Sequence, residues 1–130
     1  MPEDPLTRKI IGLAIEVHKH LGPGLLESAY RDCLCYELQT NNLHFEKEKI
    51  LPLHYKGIDI VNGYRLDIIV ENQIILELKT VEKILPIHKA QLITYLKLSG
   101  IETGLLINFH VTLLKDGIER LSKSLPLNNY

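Results

Sequence analysis

The chain has 130 residues, 45% of them hydrophobic, with 15 Lys plus Arg against 16 Asp plus Glu and a formal net charge of −1 at pH 7. That length suits a single domain, residues 1–130, able to bury a core without metal or disulfide staples, and the balanced charge excludes a broadly basic surface, so any nucleic-acid contact has to be local. No apolar run approaches the ~18 residues that span a bilayer, and the opening MPEDPLTRKI lacks the charged-then-apolar layout of a signal peptide, so a cytoplasmic protein with no membrane partner is expected.

The first predicted element is a helix in DPLTRKIIGLAIEVHKHLG, with Asp4 as N-cap, Pro5 at the first helical position, and Ile10, Leu13, Ala14, Val17 and Leu21 on one face. It ends at Gly22-Pro23-Gly24. A second helix runs from Leu25 to about Thr40, with Leu26, Ala29, Tyr30, Cys33 and Leu34 expected on its buried side and Asn41-Asn42 as its stop. The two cysteines, Cys33 and Cys35, diverge around that helix and form neither a redox nor a zinc pair; they read as reduced core thiols.

Strands follow at Ile50 to Tyr55, Ile58 to Ile60, Tyr64 to Val70 and Ile74 to Thr80, separated by the turn residues Lys56-Gly57, Asn62-Gly63 and Glu71-Asn72-Gln73. The alternating charges of EKEK, Glu46 to Lys49, read as a solvated guard on an edge strand. Pro86 opens a third helix that Gly100 closes, and Gly104 to Phe109 is the last apolar strand, expected to lie parallel to Ile74 to Thr80 through a right-handed crossover. The polar tail from about Asp116, ending in SLPLNNY, is expected to be peripheral. The order gives an α/β domain: helix, helix, three-stranded antiparallel meander, helix, strand, with a mixed sheet flanked by helices.

The stretch IILELKT, Ile74 to Thr80, carries the functional signal, because Glu77 and Lys79 interrupt a buried strand two positions apart and so point to one face with Ile75. If Val70 pairs with Ile74, the register sets Ile69 against Ile75, Asp67 against Glu77 and Arg65 against Lys79 on that face. Two carboxylates at about 5 Å in an effective dielectric of about 20 repel by roughly 3 kcal/mol. A shared proton, a nearby cation or a bound metal has to offset that. Two readings fit. In one, the four charges form a salt-bridged checkerboard at the solvated end of the hairpin, with diagonal Arg65–Glu77 and Lys79–Asp67 pairs. In the other, Asp67, Glu77 and the backbone carbonyl of Leu78 hold Mg²⁺ or Mn²⁺, which favour hard oxygen ligands, while Lys79 handles a water and balances charge on a phosphate. No Cys or His cluster competes for zinc.

An Asp on one strand followed by E-x-K on the next and then a helix resembles the PD-(D/E)XK nuclease superfamily, with Asp67, Glu77 and Lys79 at the three core positions. GLLESAY, Gly24 to Tyr30, resembles the signature of the small bacterial GxxExxY family; HKAQLITYLKLSG carries that family's Q-x-x-x-Y helix, Gln91 and Tyr95 one turn apart, and GLLINF, Gly104 to Phe109, is similar too. The resemblance runs from the first helix to Phe109 and implies a restriction-endonuclease-like core with an extra N-terminal helix. It implies a metal-dependent nuclease acting on DNA or RNA, in which Glu27 supplies a further acid to the metal region, Gln91 flanks the site and Tyr95 contacts the substrate or holds Lys79. The proline of the superfamily's name is replaced here, where the pair is Leu66-Asp67.

The remaining candidates each have a plain alternative. Tyr30 and Tyr95 fit substrate contact or the core equally. Glu27 also suits the first turn of its helix, where the dipole favours an acid. His88 shares a face with Gln91 and Tyr95 and is either structural or turned towards the substrate, and Arg65 either holds the scissile phosphate or neutralises Glu77. His18, His20, His44, His54 and His110 are scattered and are given no chemistry. The competing functions are a non-catalytic nuclease-fold module that binds nucleic acid or a protein, and, from carboxylate spacing alone, a retaining glycosidase, which the absence of Trp disfavours. A homodimer would suit the superfamily resemblance.

Overall fold

A computed structural model describes residues 4–124; most of SLPLNNY lies outside them. Helix α1 is Pro5–Leu21. The Asp4 side chain accepts the Thr7 N–H at 2.8 Å, and the helix closes where the Gly22 amide donates to the His18 carbonyl at 2.8 Å. Helix α2 is Glu27–Thr40 and begins two residues later than its apolar pattern suggested, so Leu26 is not a core residue but is 77% exposed. Buried on α2 are Tyr30, Leu34, Cys35 and Leu38; both cysteines are free thiols, Cys35 buried and Cys33 half-buried.

The strands are β1 Phe45–Tyr55, β2 Ile58–Val70, β3 Ile74–Lys79, β4 Thr103–Asn108 and β5 Ile118–Ser122, with α3, Pro86–Ser99, between β3 and β4. They form one sheet in the order β1-β2-β3-β4-β5, in which only β3 and β4 run parallel. Helices α1 and α2 cover one face, burying Ile10, Val17, Tyr30 and Leu34 against Ile68, Leu76, Leu78 and Ile107. Helix α3 covers the other, with Leu92, Ile93 and Leu96 against Ile69, Ile75 and Leu106. Helices on both faces of a mixed sheet make this an α/β fold with a restriction-endonuclease-like core.

Three sequence expectations are corrected. Asn62-Gly63 is not a turn: β2 runs through it, and the register with β1 shifts there, between Leu51 and Leu53. Pro52 cannot donate to a ladder, so an edge strand is where it can sit, at an irregularity. Gly63 is needed because a Cβ there would lie 2.4 Å from the Leu53 Cβ. The true reversal is Lys56-Gly57, both at positive φ, as a two-residue type I′ hairpin requires. The tail is not peripheral from residue 116: a 3₁₀ turn at Leu114–Gly117 leads into β5, which pairs with β4 and buries Leu121. EKEK, finally, is more than a solvated guard, since Lys47 and Glu48 reach back to Asp32 and Arg31 of α2.

Candidate active site

The site begins with a break in β2. Leu66 is buried with the α3 face and Ile68 with the α1/α2 face, although residues two apart on a regular strand share a side. The strand therefore turns over at Asp67. The partner strand is irregular at the same point: Lys47 pairs with Ile68 and Lys49 with Leu66, while Glu48, between them and facing Asp67, has φ +52° and leaves the ladder unpaired. A non-glycine residue rarely adopts the left-handed region, and it interrupts the regular pleat of the strand that carries it.

On its other side β2 pairs with β3 only at Ile68–Leu76, Ile69–Ile75 and Val70–Ile74. The expected continuation to Asp67–Glu77 and Arg65–Lys79 does not form, because the strands part and the Asp67 side chain enters the gap. Its Oδ2 accepts the Leu78 N–H at 2.9 Å, replacing the bond a neighbouring strand would have made. A strand residue's N–H and C=O point to the same side, so the Leu78 carbonyl also faces this gap, whereas the Lys79 carbonyl faces β4 and accepts the Phe109 N–H at 2.9 Å.

Asp67 and Glu77 are 8% and 4% exposed. Burial, and then the adjacent Asp67 carboxylate, push the Glu77 carboxyl up to about 8, against the pull of Lys79. Glu27 at the start of α2 is raised as well, by burial and then by Asp67, with Lys79, Arg31 and Arg65 opposing. Tyr95 of α3 is raised by burial, then by Glu77 and Asp67, with Arg65 and Gln91 opposing. These mutual influences bring Glu27, Arg65, Asp67, Glu77, Lys79, Gln91 and Tyr95 into one neighbourhood, reached by four elements of the fold. Tyr95 is half-buried and stacks on Tyr64 at 5.2 Å between ring centroids, while Gln91 and Arg65 are exposed. Among the described residues no ion pair joins Arg65, Asp67, Glu77 and Lys79, so the checkerboard does not form.

Two candidate substrate contacts are engaged with the backbone. Tyr30 is fully buried and stacked on Phe109 at 4.5 Å. Its hydroxyl donates to the Gly22 carbonyl and accepts the Leu25 N–H, which ties the Gly22–Leu25 loop down and sets where Glu27 begins its helix. His88 caps α3: its Nδ1 accepts the Leu85 N–H at 2.9 Å. Sequence reasoning missed Arg31 and Glu48, whose ion pair spans 2.8 Å; the i,i+4 spacing of Glu27 and Arg31 was the available signal. It also missed Asn108, whose Nδ2 donates to the Val81 carbonyl at 2.8 Å and whose Oδ1 accepts the Val81 and His110 N–H groups, both at 3.1 Å, securing the segment that follows Lys79.

The donor set suits a hard divalent cation. Asp67 and Glu77 are buried acids that repel until a positive charge or a proton joins them, the Leu78 carbonyl faces the same gap, and neither His nor Cys is beside them. Among the described residues no three His, Cys, Asp or Glu side chains gather closely enough to enclose an ion, so water and substrate oxygens would fill the remaining positions.

A family model for the PD-(D/E)XK nuclease superfamily matches residues 4–121. No curated protein gives a significant match. Among solved structures, the chain is similar to the crystal structure of SSO0001, with a TM-score of 0.51 and 20% identity over 97% of this chain and 80% of that one, a likeness of fold.

Proposed function

We propose that this chain, which belongs to the PD-(D/E)XK nuclease superfamily, hydrolyses phosphodiester bonds in DNA or RNA with the help of Mg²⁺ or Mn²⁺. The observation that carries the reading is the buried Asp67–Glu77 pair in a sheet opened at that point, with the Asp67 carboxylate anchored on the Leu78 amide. A core designed only for stability gains nothing from two adjacent buried acids.

Asp67 and Glu77 would hold the cation with the Leu78 carbonyl, and Glu27, from α2, would reach it through a coordinated water rather than as a third direct ligand. The cation, when bound, polarises the phosphoryl oxygen and makes a coordinated water more acidic. Lys79 Nζ orients the attacking water along the line of the scissile bond and offsets the negative charge that grows on the non-bridging oxygens. Arg65, exposed beside the acids, meets the phosphate from solvent, and Gln91 and Tyr95 border the substrate from α3. The GLLESAY and Q-x-x-x-Y segments support a reading of the chain as one of the GxxExxY proteins within the superfamily.

The test is cleavage of single- and double-stranded DNA and RNA, with Mg²⁺, with Mn²⁺ and with chelator, beside Lys79→Ala. Metal-dependent cutting that disappears in the variant is expected. Absence of both cutting and calorimetrically detectable Mn²⁺ binding would instead favour a non-catalytic binding module, the reading to which the near-zero net charge lends weight.

A further inference from the structure

The Arg31–Glu48 pair lies outside the acids themselves, yet Glu48 sits directly across the ladder from Asp67. The Arg31 side chain is 14% exposed; one guanidinium nitrogen is 2.8 Å from Glu48 and another 3.9 Å from Glu27, four residues back on the same helix. Its Nε is buried without a hydrogen-bond partner among the described residues, so ion pairs at its other two nitrogens hold the group. Glu48 is in turn the left-handed residue facing Asp67, at the point where β2 changes sides. A second tie between the same two elements, Lys47 to Asp32 at 3.5 Å, is exposed at both ends and touches none of these features.

We propose that Arg31 and Glu48 are positioning residues: their ion pair holds the β1 backbone in the twist that drives the Asp67 carboxylate into the gap beside Leu78, and the same guanidinium restrains Glu27. The exposed Lys47–Asp32 tie has no such role and serves as the internal control. The backbone part of this inference stands without a metal, and only its consequence for cation binding rests on the proposed function.

Amide hydrogen exchange on the metal-free protein tests it, because the Leu78 N–H reports directly on the Asp67 carboxylate. In Arg31→Gln, and separately in Glu48→Gln, the Leu78 amide is expected to exchange about tenfold faster or more, as its hydrogen bond to Asp67 opens more readily, while Leu105 and Ile107 in the centre of the sheet keep their wild-type rates. The double variant is expected to match either single one, since both remove the same tie, and Lys47→Gln leaves Leu78 unchanged. Unchanged Leu78 exchange in both single variants, or an equal acceleration of every core amide, would overturn the proposal. Mn²⁺ titration of the same proteins separates the two readings: about tenfold weaker binding in Arg31→Gln extends the positioning role to the cation. A wild-type protein that binds no Mn²⁺ would end the metal reading and leave the exchange result to judge the twist.

Discussion

From Ile68 to Val70 and from Ile74 to Leu76 the β2–β3 hairpin is a closed ladder of six buried apolar residues. One residue further, the strands part and two acids are buried in the opening. The two halves share a turn, a sheet and the same covering helices, yet one binds the fold together and the other works against it. The closed half is what allows the open half to exist: it fixes both strands firmly enough that the cost of Asp67 and Glu77 side by side does not unzip them.

The contrast can be broken most forcefully from the open side. Glu77→Gln and Lys79→Ala are expected to lower cleavage by about 10³-fold or more, the scale of losing positioned acid–base and charge-stabilising groups, with melting temperatures unchanged or, for Glu77→Gln, raised. A large loss of stability in either would mean that the acids serve the fold. From the closed side, Leu76→Ala is expected to cost about 2–5 kcal/mol in denaturant unfolding while leaving cleavage per folded molecule near wild type.

A smaller effect comes from titration. Glu77 has its carboxyl raised from 4.5 to about 8 in the folded chain, so the unfolded chain releases that proton first as pH rises. The metal-free protein should therefore lose stability, by up to a few kcal/mol, between about pH 5 and pH 8 and level off above. The direction is opposite to that of a salt-bridged carboxylate, and Glu77→Gln should flatten the slope in chemical melts across that range. Smallest is Tyr30→Phe, which removes the hydroxyl that ties Gly22 to Leu25 and should cost about 1 kcal/mol, seen as a modest drop in midpoint.

The closed half was legible in the sequence and the open half only partly so. Asp4, Pro5, Pro86 and Gly100 marked helix ends through local chemistry, and the three-residue turn Glu71-Asn72-Gln73 fixed the register of the first three β2–β3 pairs. The identities of Asp67, Glu77 and Lys79 were visible because charges on a buried strand stand out. Their arrangement was not, since the turn-over at Asp67 coincides with an irregularity at Glu48 of another strand, and Glu48 adopts a conformation that its own type does not favour. Asn62-Gly63 carried the signature of a turn, and only its apposition to Pro52 and Leu53 makes it an irregularity instead. In β5, Ile118 and Leu121 are too few to announce a strand; the open edge of β4 recruits them. For Tyr30 and His88 the sequence left two readings open for one reason: helical spacing tells which face a side chain shares, not whether its polar atom is already satisfied by the backbone.

The sheet's order, β1-β2-β3-β4-β5, is also the order of the chain. Every strand thus finds its neighbour by closing the segment between them, and the longest such closure is the passage through α3 from β3 to β4. Assembly can proceed by successive local additions, which favours rapid folding for a sheet of this size. The docking of α3 with β4 on β3 is the expected slow step, and until it occurs the edge of β3 that carries Glu77 and Lys79 has no partner strand.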